Sequence, residues 1–558
     1  MSRSFYCISS LIFTLHLMKI YVRICRYMFN IWLLIRNFPY RNLPYYIKFY
    51  NGVCMDFIEK HVTSFISNTL KFLFVLIIIG SIITSAILVK TLFYNNTGYF
   101  VLTNSILTIF TLAIGYLFYR YFRSSKNYRN ALLIILSLAF FVRILWVFAV
   151  TTQPFSDFGL MFKCGGDNFA KGDYSIFKGT SYMGRFTHLT AFTIYLGLIQ
   201  KYFTNALLII KIINVILSTI NIFLIYLISK ELFDSKEKAL WVSLISCLFP
   251  PFIFYNSVTC SENLAMPFFL ASVYLFILAV RSKKSPVWFL FAGALLSIGN
   301  IFRSVGIVLL IAYIVYLIIY WNRKRLVLSC SLVLVSFIIP LYMASSILIS
   351  LGITEYPLWS GREPNITSVL KGTNIEANGM WNEEDSKIPI IYNYDYKAVE
   401  KASKDIIIER LTKTPLNKLA VFYIKKFTMQ WSIGDFSALY WSTTKVSTEN
   451  VASELSRFAP FYSQLYYIVI LAFALLGLFN KEYRTKNKVI NLFYIIFCGY
   501  GLFYLLTELQ PRYAYIASWV FPILCYSGTL LLLEKWKKFK AASSSQNEPQ
   551  AVDPDSNL

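Results

Sequence analysis

The chain has 558 residues, of which 57% are hydrophobic, 18% aromatic and 15% charged. Soluble globular chains carry about 45–50% apolar and about 25% charged residues. Three or four soluble domains, the ordinary reading of this length, are therefore excluded in favour of about a dozen membrane spans with one sizeable loop region. The net charge of +25 does not indicate nucleic acid. The basic residues stand in short clusters between apolar runs, as membrane topology requires, and not along one stripe.

Residues 1–54 carry Arg3, Lys19, Arg23, Arg26, Arg36, Arg41 and Lys48 and no acidic residue. Their apolar runs are interrupted before any reaches the length of a span. Met55 then opens a conventional start, with Lys60 and Lys71 ahead of a strong apolar run. We expect translation to begin near Met55; the alternative is a basic amphipathic segment lying on the inner membrane surface.

Runs long enough to span follow at 70–89, 101–118, 131–150, 206–229, 240–257, 264–280, 287–302, 304–321, 326–349, 465–479, 489–507 and 515–533. The expected fold is thus all-α and polytopic, with about 12 transmembrane helices, because backbone groups facing lipid must be satisfied within their own segment. With the N-terminus inside, the inner connections and the tail up to Lys540 hold 21 Lys/Arg. The short outer connections hold only Lys90, Arg303 and Arg512. This asymmetry sets a cell-membrane protein with both termini cytoplasmic. It also decides residues 187–203, which look apolar enough to cross. A crossing there would turn every later basic loop outward, so this run is expected to lie on the outer surface.

The organisation expected is a basic extension 1–54, a transmembrane core 55–349 with a first outer loop 151–205, an extracytoplasmic segment 350–464, C-terminal transmembrane helices 465–540 and a disordered tail 541–558. The segment 350–464 has 13 Lys/Arg against 13 Asp/Glu. No internal repeat is visible. The nine cysteines show no CxxC spacing, and most fall in apolar runs where a buried thiol is the default. Only Cys164 and Cys260 fall outside, where a disulfide is the minor alternative to two free thiols. His16, His61 and His188 are too scattered for a His-rich metal site.

Charges at membrane depth are costly, so they are functional candidates. Asp157, Lys211, Glu262, Arg303, Glu508 and Arg512 all stand at the outer ends of helices, and Arg143 lies within the third span. Each has a plain structural reading: a helix cap, a snorkelling lysine, a hairpin anchor, a loop ion pair or a buried partner. Their convergence on one side is what singles them out. The set matches the needs of sugar transfer from a polyprenyl phosphate. Cations at headgroup level neutralise the leaving phosphate, and a carboxylate takes the proton of the attacking hydroxyl.

The motifs VRILW with Arg143, QPFSD ending at Asp157, and FAKGDY with Gly172 and Tyr174 are followed by KIINV with Lys211 and Asn214. Then come FPPFIFYNSVTCSEN with Pro250 and Glu262, GNIFRS with Arg303, and ELQPRYAY with Glu508, Arg512 and Tyr513. In this order and spacing they resemble the GT-C superfamily of membrane glycosyltransferases, in the branch of protein O-mannosyltransferases and the bacterial aminoarabinose transferase. The resemblance implies an inverting transferase using a polyprenyl-phosphate sugar donor, with a glycan, lipid or protein acceptor. It implies Asp157 as the catalytic carboxylate and Glu262 as a second acidic residue near the acceptor. Lys211, Arg303 and Arg512 are then candidates for the donor phosphate, with Glu508, Tyr513 and Arg143 completing the substrate-binding set. The chain departs from the family pattern in having Phe158 where an acidic doublet is usual, and two spans before the third. A divalent metal shared by Asp157 and Glu262 is left open, since no dense ligand cluster demands one. The rival readings are a secondary transporter or flippase of lipid-linked glycan, a GT-C-fold glycan polymerase or ligase, and a non-enzymatic scaffold. The transporter should show repeated halves and midplane charges; the sequence shows no such symmetry and only Arg143 clearly within the core.

Overall fold

The computed structural model describes residues 43–125, 127–282, 285–446 and 449–546. They belong to two compact units, Met1–Thr63 and Ser64–Leu558. In the first, residues 43–63 are helical; the expectations for most of 1–54 lie outside the described residues. Apart from the first residues of the helix Glu59–Val89, everything below concerns the second unit. The C-terminal helix Val520–Gln546 runs into the expected tail, whose remainder also lies outside the described residues.

Apart from an isolated antiparallel bridge between Thr152 and Val446, the regular structure of the described residues is helical. Among the described residues six helices are long and apolar enough to cross a bilayer: Glu59–Val89, Tyr128–Ala149, Ala206–Phe233, Ser261–Arg281, Arg323–Ser350 and Ala459–Gly477. Two bent pairs raise the number to eight if each is one span. Lys236–Cys247 turns by 64° into Pro250–Ser257, and Pro511–Ala517 turns by 61° into Val520–Lys540. The first bend follows from Pro250 and Pro251, which lack the N–H that a continuous helix needs. Asn104–Phe118, Val287–Phe302, Gly306–Tyr320 and Ile490–Leu506 are shorter apolar helices. Every expected run therefore falls on a helix; among the described residues length and composition single out six to eight spans, and the four shorter apolar helices cover the rest of the twelve expected runs.

The helices are built for lipid. Along Tyr128–Ala149, Ile135, Ala139, Arg143 and Trp146 are buried, whereas Phe141, Leu145 and Phe148 are exposed. Both sets follow the helical period, and the apolar set faces outward while an arginine faces in. The run 187–203 forms a helix, Thr190–Tyr202, of 13 residues, too short to cross. Its Phe192, Leu196 and Gly197 face inward. A Cβ on Gly197 would stand 2.7 Å from the carbonyl oxygen of Gly166, so only glycine lets this helix lie against the first loop.

The segment 350–464 is folded from the helices Ile366–Gly372, Glu383–Ile391, Tyr396–Lys413, Leu416–Trp431 and Ala438–Thr443. Its first three helices are joined at Asp385. That carboxylate pairs with Arg410 at 2.8 Å and accepts from Asn374 and Asn382. The hydrogen bonds and the Arg410 charge outweigh burial and hold the Asp385 carboxyl below its usual pKa.

Candidate active site

Helix Ala206–Phe233 acts as a spine for the site. Lys211, Asn214 and Ser218 are buried on one face of it. Lys211 Nζ donates to the Thr152 carbonyl at 2.7 Å, five residues ahead of Asp157. Asn214 Nδ2 donates to the carbonyls of Asn256 and Val258, fixing the turn that leads to Glu262. Ser218 Oγ accepts from Arg143 Nε at 2.8 Å and donates to the Phe252 carbonyl. Arg143, fully buried, also donates to the carbonyls of Ala139 and Cys247. Lys211 and Arg143 thus hold backbone within the bundle; neither makes an ion pair with Asp157 or Glu262.

Asp157 sits in the short helix Ser156–Gly159, just past the Tyr128–Ala149 helix. Ser156 takes a φ of 54°, a left-handed conformation that turns the chain sharply before the carboxylate. The stretch ahead of it is fastened to the segment around Trp441. Thr152 Oγ1 donates to the Ser442 carbonyl, and Gln153 N donates to that of Lys445 at 2.6 Å. Phe155 stacks on Trp441 with centroids 4.9 Å apart, and Phe158 meets the same indole edge-on at 5.0 Å.

Arg512 meets Asp157 with Nη2 2.9 Å from Oδ2. The two differ in access: the Asp157 side chain is 36% exposed, that of Arg512 only 6%. The guanidinium lies against three aromatic rings, at 4.7 Å from Phe158, 4.6 Å from Trp441 and 5.2 Å from Tyr513. Its Nε and Nη1 are buried and make no hydrogen bond. Such donors carry the cost of lost hydration unless an acceptor arrives.

A second acid–base pair lies beside the first. Glu262 opens the helix Ser261–Ser282, where the helix dipole favours a negative charge. It pairs with Arg303 at 3.1 Å. Arg303 caps the C-terminus of Val287–Phe302 and stands over Tyr513 at 5.0 Å, its Nε also without a partner. Tyr513 therefore carries one guanidinium from each pair. Glu508 pairs with neither arginine; it lies 3.6 Å from Lys371 and accepts from Gln510.

Two further groups border the pairs. Tyr182 lies beside Asp157; burial, then the carboxylate charge, push its phenol well above the usual range. His188 lies near Arg303; burial, then that cation, hold its imidazole down to about 4, so it is neutral near pH 7. Sequence reasoning missed Trp441, Tyr182, His188 and Lys371. Trp441 belongs to a segment without a recognisable motif, and Tyr182 and His188 are single residues in a long loop.

Among the described residues no group of three or more His, Cys, Asp or Glu is arranged to hold a metal. Asp157 and Glu262 each take an arginine instead, so this donor set does not fit a shared divalent cation. Cys164 is exposed, Cys260 is buried, and both are free thiols, so the disulfide alternative does not form.

Residues 191–348 match the family model described as dolichyl-phosphate-mannose-protein mannosyltransferase. The matched stretch holds Lys211, Glu262 and Arg303 and leaves out Arg143, Asp157, Glu508, Arg512 and Tyr513. No curated protein matches the chain. Similar solved structures include the archaeal oligosaccharyltransferase AglB from Archaeoglobus fulgidus in complex with an inhibitory peptide and a dolichol-phosphate. It is 13% identical, with a TM-score of 0.43, covering 77% of this chain and 53% of that one. The apo oligosaccharyltransferase of the same organism is 12% identical, with a TM-score of 0.42 and the same coverage. The chain spans about half the length of these structures.

Proposed function

We propose, from the GT-C likeness found over residues 191–348, that this multi-pass membrane chain is an inverting glycosyltransferase moving a sugar from a polyprenyl-phosphate donor to an acceptor on the outer side of the membrane. The observation that carries the reading is the accessible Asp157 carboxylate held by Arg512, whose remaining donors are buried and unpartnered. An anionic leaving group needs such donors, already oriented and shielded from water.

In this reading the acceptor hydroxyl attacks the anomeric carbon from the face opposite the phosphate. Asp157 takes the hydroxyl proton as the new C–O bond forms. The anomeric C–O bond to phosphate breaks, its electron pair leaves with the polyprenyl phosphate, and one displacement inverts the centre. Arg512 and Arg303 neutralise the phosphate, each with a free buried nitrogen to offer. Glu262, 4% exposed, lies on the acceptor side and sets the place of Arg303. Lys211 and Arg143 serve the substrate site through the loop and turn they hold. Glu508 and Tyr513 do so through the strip that carries Arg512.

The test is direct. Membranes bearing the protein are incubated with candidate polyprenyl-phosphate sugars, and released polyprenyl phosphate is measured. Asp157→Asn should insert normally and lose release by about 10²–10⁴-fold, the usual share of a general base. Release at the wild-type rate in that variant would remove Asp157 as the base.

A further inference from the structure

The helix Leu416–Trp431 bears two adjacent lysines with opposite fates. Lys425 is exposed, whereas Lys426 is 0% exposed. Lys426 Nζ donates to three carbonyls: Gly372 at 2.6 Å, Thr507 at 2.7 Å and Leu505 at 2.8 Å. An ammonium has three protons, and here each finds an oxygen. Two of the acceptors lie at the C-terminal end of Ile490–Leu506, where the helix dipole is negative. One turn further along, Gln430 Nε2 donates to the Gln510 carbonyl at 2.7 Å.

The strip 505–510 is gripped at other points as well. Leu509 N donates to the Gly379 carbonyl at 2.7 Å, and Glu508 N to Ser368 Oγ at 3.4 Å. All these partners come from 350–464. The strip has left its helix, with Thr507 and Gln510 extended, and Pro511 begins the turn that carries Arg512 and Tyr513. Nothing in a free extended strip would fix the height at which that turn starts.

We propose that Lys426, assisted by Gln430, is a positioning residue of the active site: by fastening the strip 505–510 to the outer segment it sets the guanidinium of Arg512 where it meets Asp157 and the donor phosphate. This rests on the transferase reading given above. Lys426 touches no reacting atom and acts through the backbone that leads to Arg512.

The experiment uses the full chain in lipid nanodiscs and decaprenyl phosphate, the leaving group of the proposed reaction, as probe. Lys426→Met and Gln430→Met should each weaken its binding roughly tenfold, and change it less than about twofold when Arg512 is already alanine, as coupled sites do. Should Lys426→Met not fold, Gln430→Met decides by the same comparison. Equal losses in both backgrounds, or unchanged binding in both variants, would overturn the positioning role while leaving the transferase reading in place. No binding of decaprenyl phosphate by the unmodified protein would overturn the transferase reading, and the positioning role with it.

Discussion

Asp157 and Arg512 stand 355 positions apart in the chain and 2.9 Å apart in the fold. The pair joins the loop after the third predicted span to the start of the last bent helix, and each side needs the other. Without Arg512 the carboxylate would lose the cation it pairs with. Without Asp157 a guanidinium 6% exposed would lose the carboxylate that accepts its hydrogen bond. Arg512→Lys keeps the charge but loses the planar fork that can serve Asp157 and a phosphate together. The expected result is a fall in polyprenyl phosphate release of about 10²–10³-fold, the size seen when an oriented donor is lost. Release within a few-fold of wild type would mean that Arg512 does no more than neutralise Asp157.

Trp441 supports the same guanidinium from the segment 350–464. Its indole lies 4.6 Å from Arg512 and also receives Phe155 and Phe158. A cation over an aromatic face contributes about 0.5–2 kcal/mol, so Trp441→Leu should weaken donor binding by about two- to thirtyfold. Titration of decaprenyl phosphate against the variant in nanodiscs checks this. Unchanged affinity together with lowered thermal stability would reduce Trp441 to packing.

What the sequence discloses and what it hides separate along physical lines. Apolar runs report helices because lipid permits little else, so every expected run lies on one. The polar residues named from helix ends divide on inspection. Asp157, Glu262, Arg303, Arg512 and Tyr513 come together, since chain passage returns those ends to one level. Lys211 and Arg143 look equally conspicuous in sequence, yet they are tied to Thr152, Ser218, Ala139 and Cys247 away from both carboxylates, with Arg143 Nη2 left without a partner. A buried cation bound to backbone and one awaiting a ligand have the same one-letter code. Trp441 and Lys426 were illegible for a different reason. Their importance lies in long-range contacts made by 350–464, and no local pattern encodes such contacts.

The Glu262–Arg303 pair should be a structural necessity as well as part of the site. Glu262 is 4% exposed and Arg303 16%. Glu262→Gln would leave the arginine largely buried with no acidic partner, a change that typically costs about 3–5 kcal/mol. Pairing it with Arg303→Met should recover part of that loss, because the uncompensated charge goes too. Thermal unfolding of the single and double variants in one detergent measures the coupling. A double variant less stable than both singles would show that the pair's main contribution is something other than charge compensation.

His188 gives the fold a pH dependence with a definite sign. An ordinary imidazole titrates near 6.5; in the folded chain burial and Arg303 hold His188 down to about 4. Between those values the unfolded chain binds a proton that the folded chain does not. Stability must therefore fall as pH drops from about 6.5 to about 4, and this contribution must level off below about 4. Asp385, whose carboxyl is held below its usual pKa, also loses stability towards acid, so the wild-type curve alone does not isolate the histidine. The difference between wild type and His188→Gln does. Wild type should lose melting temperature relative to the variant across that window, with the two curves parallel above pH 7. Curves that stay parallel down to pH 4 would show that His188 titrates normally and that the Arg303 charge does not reach it.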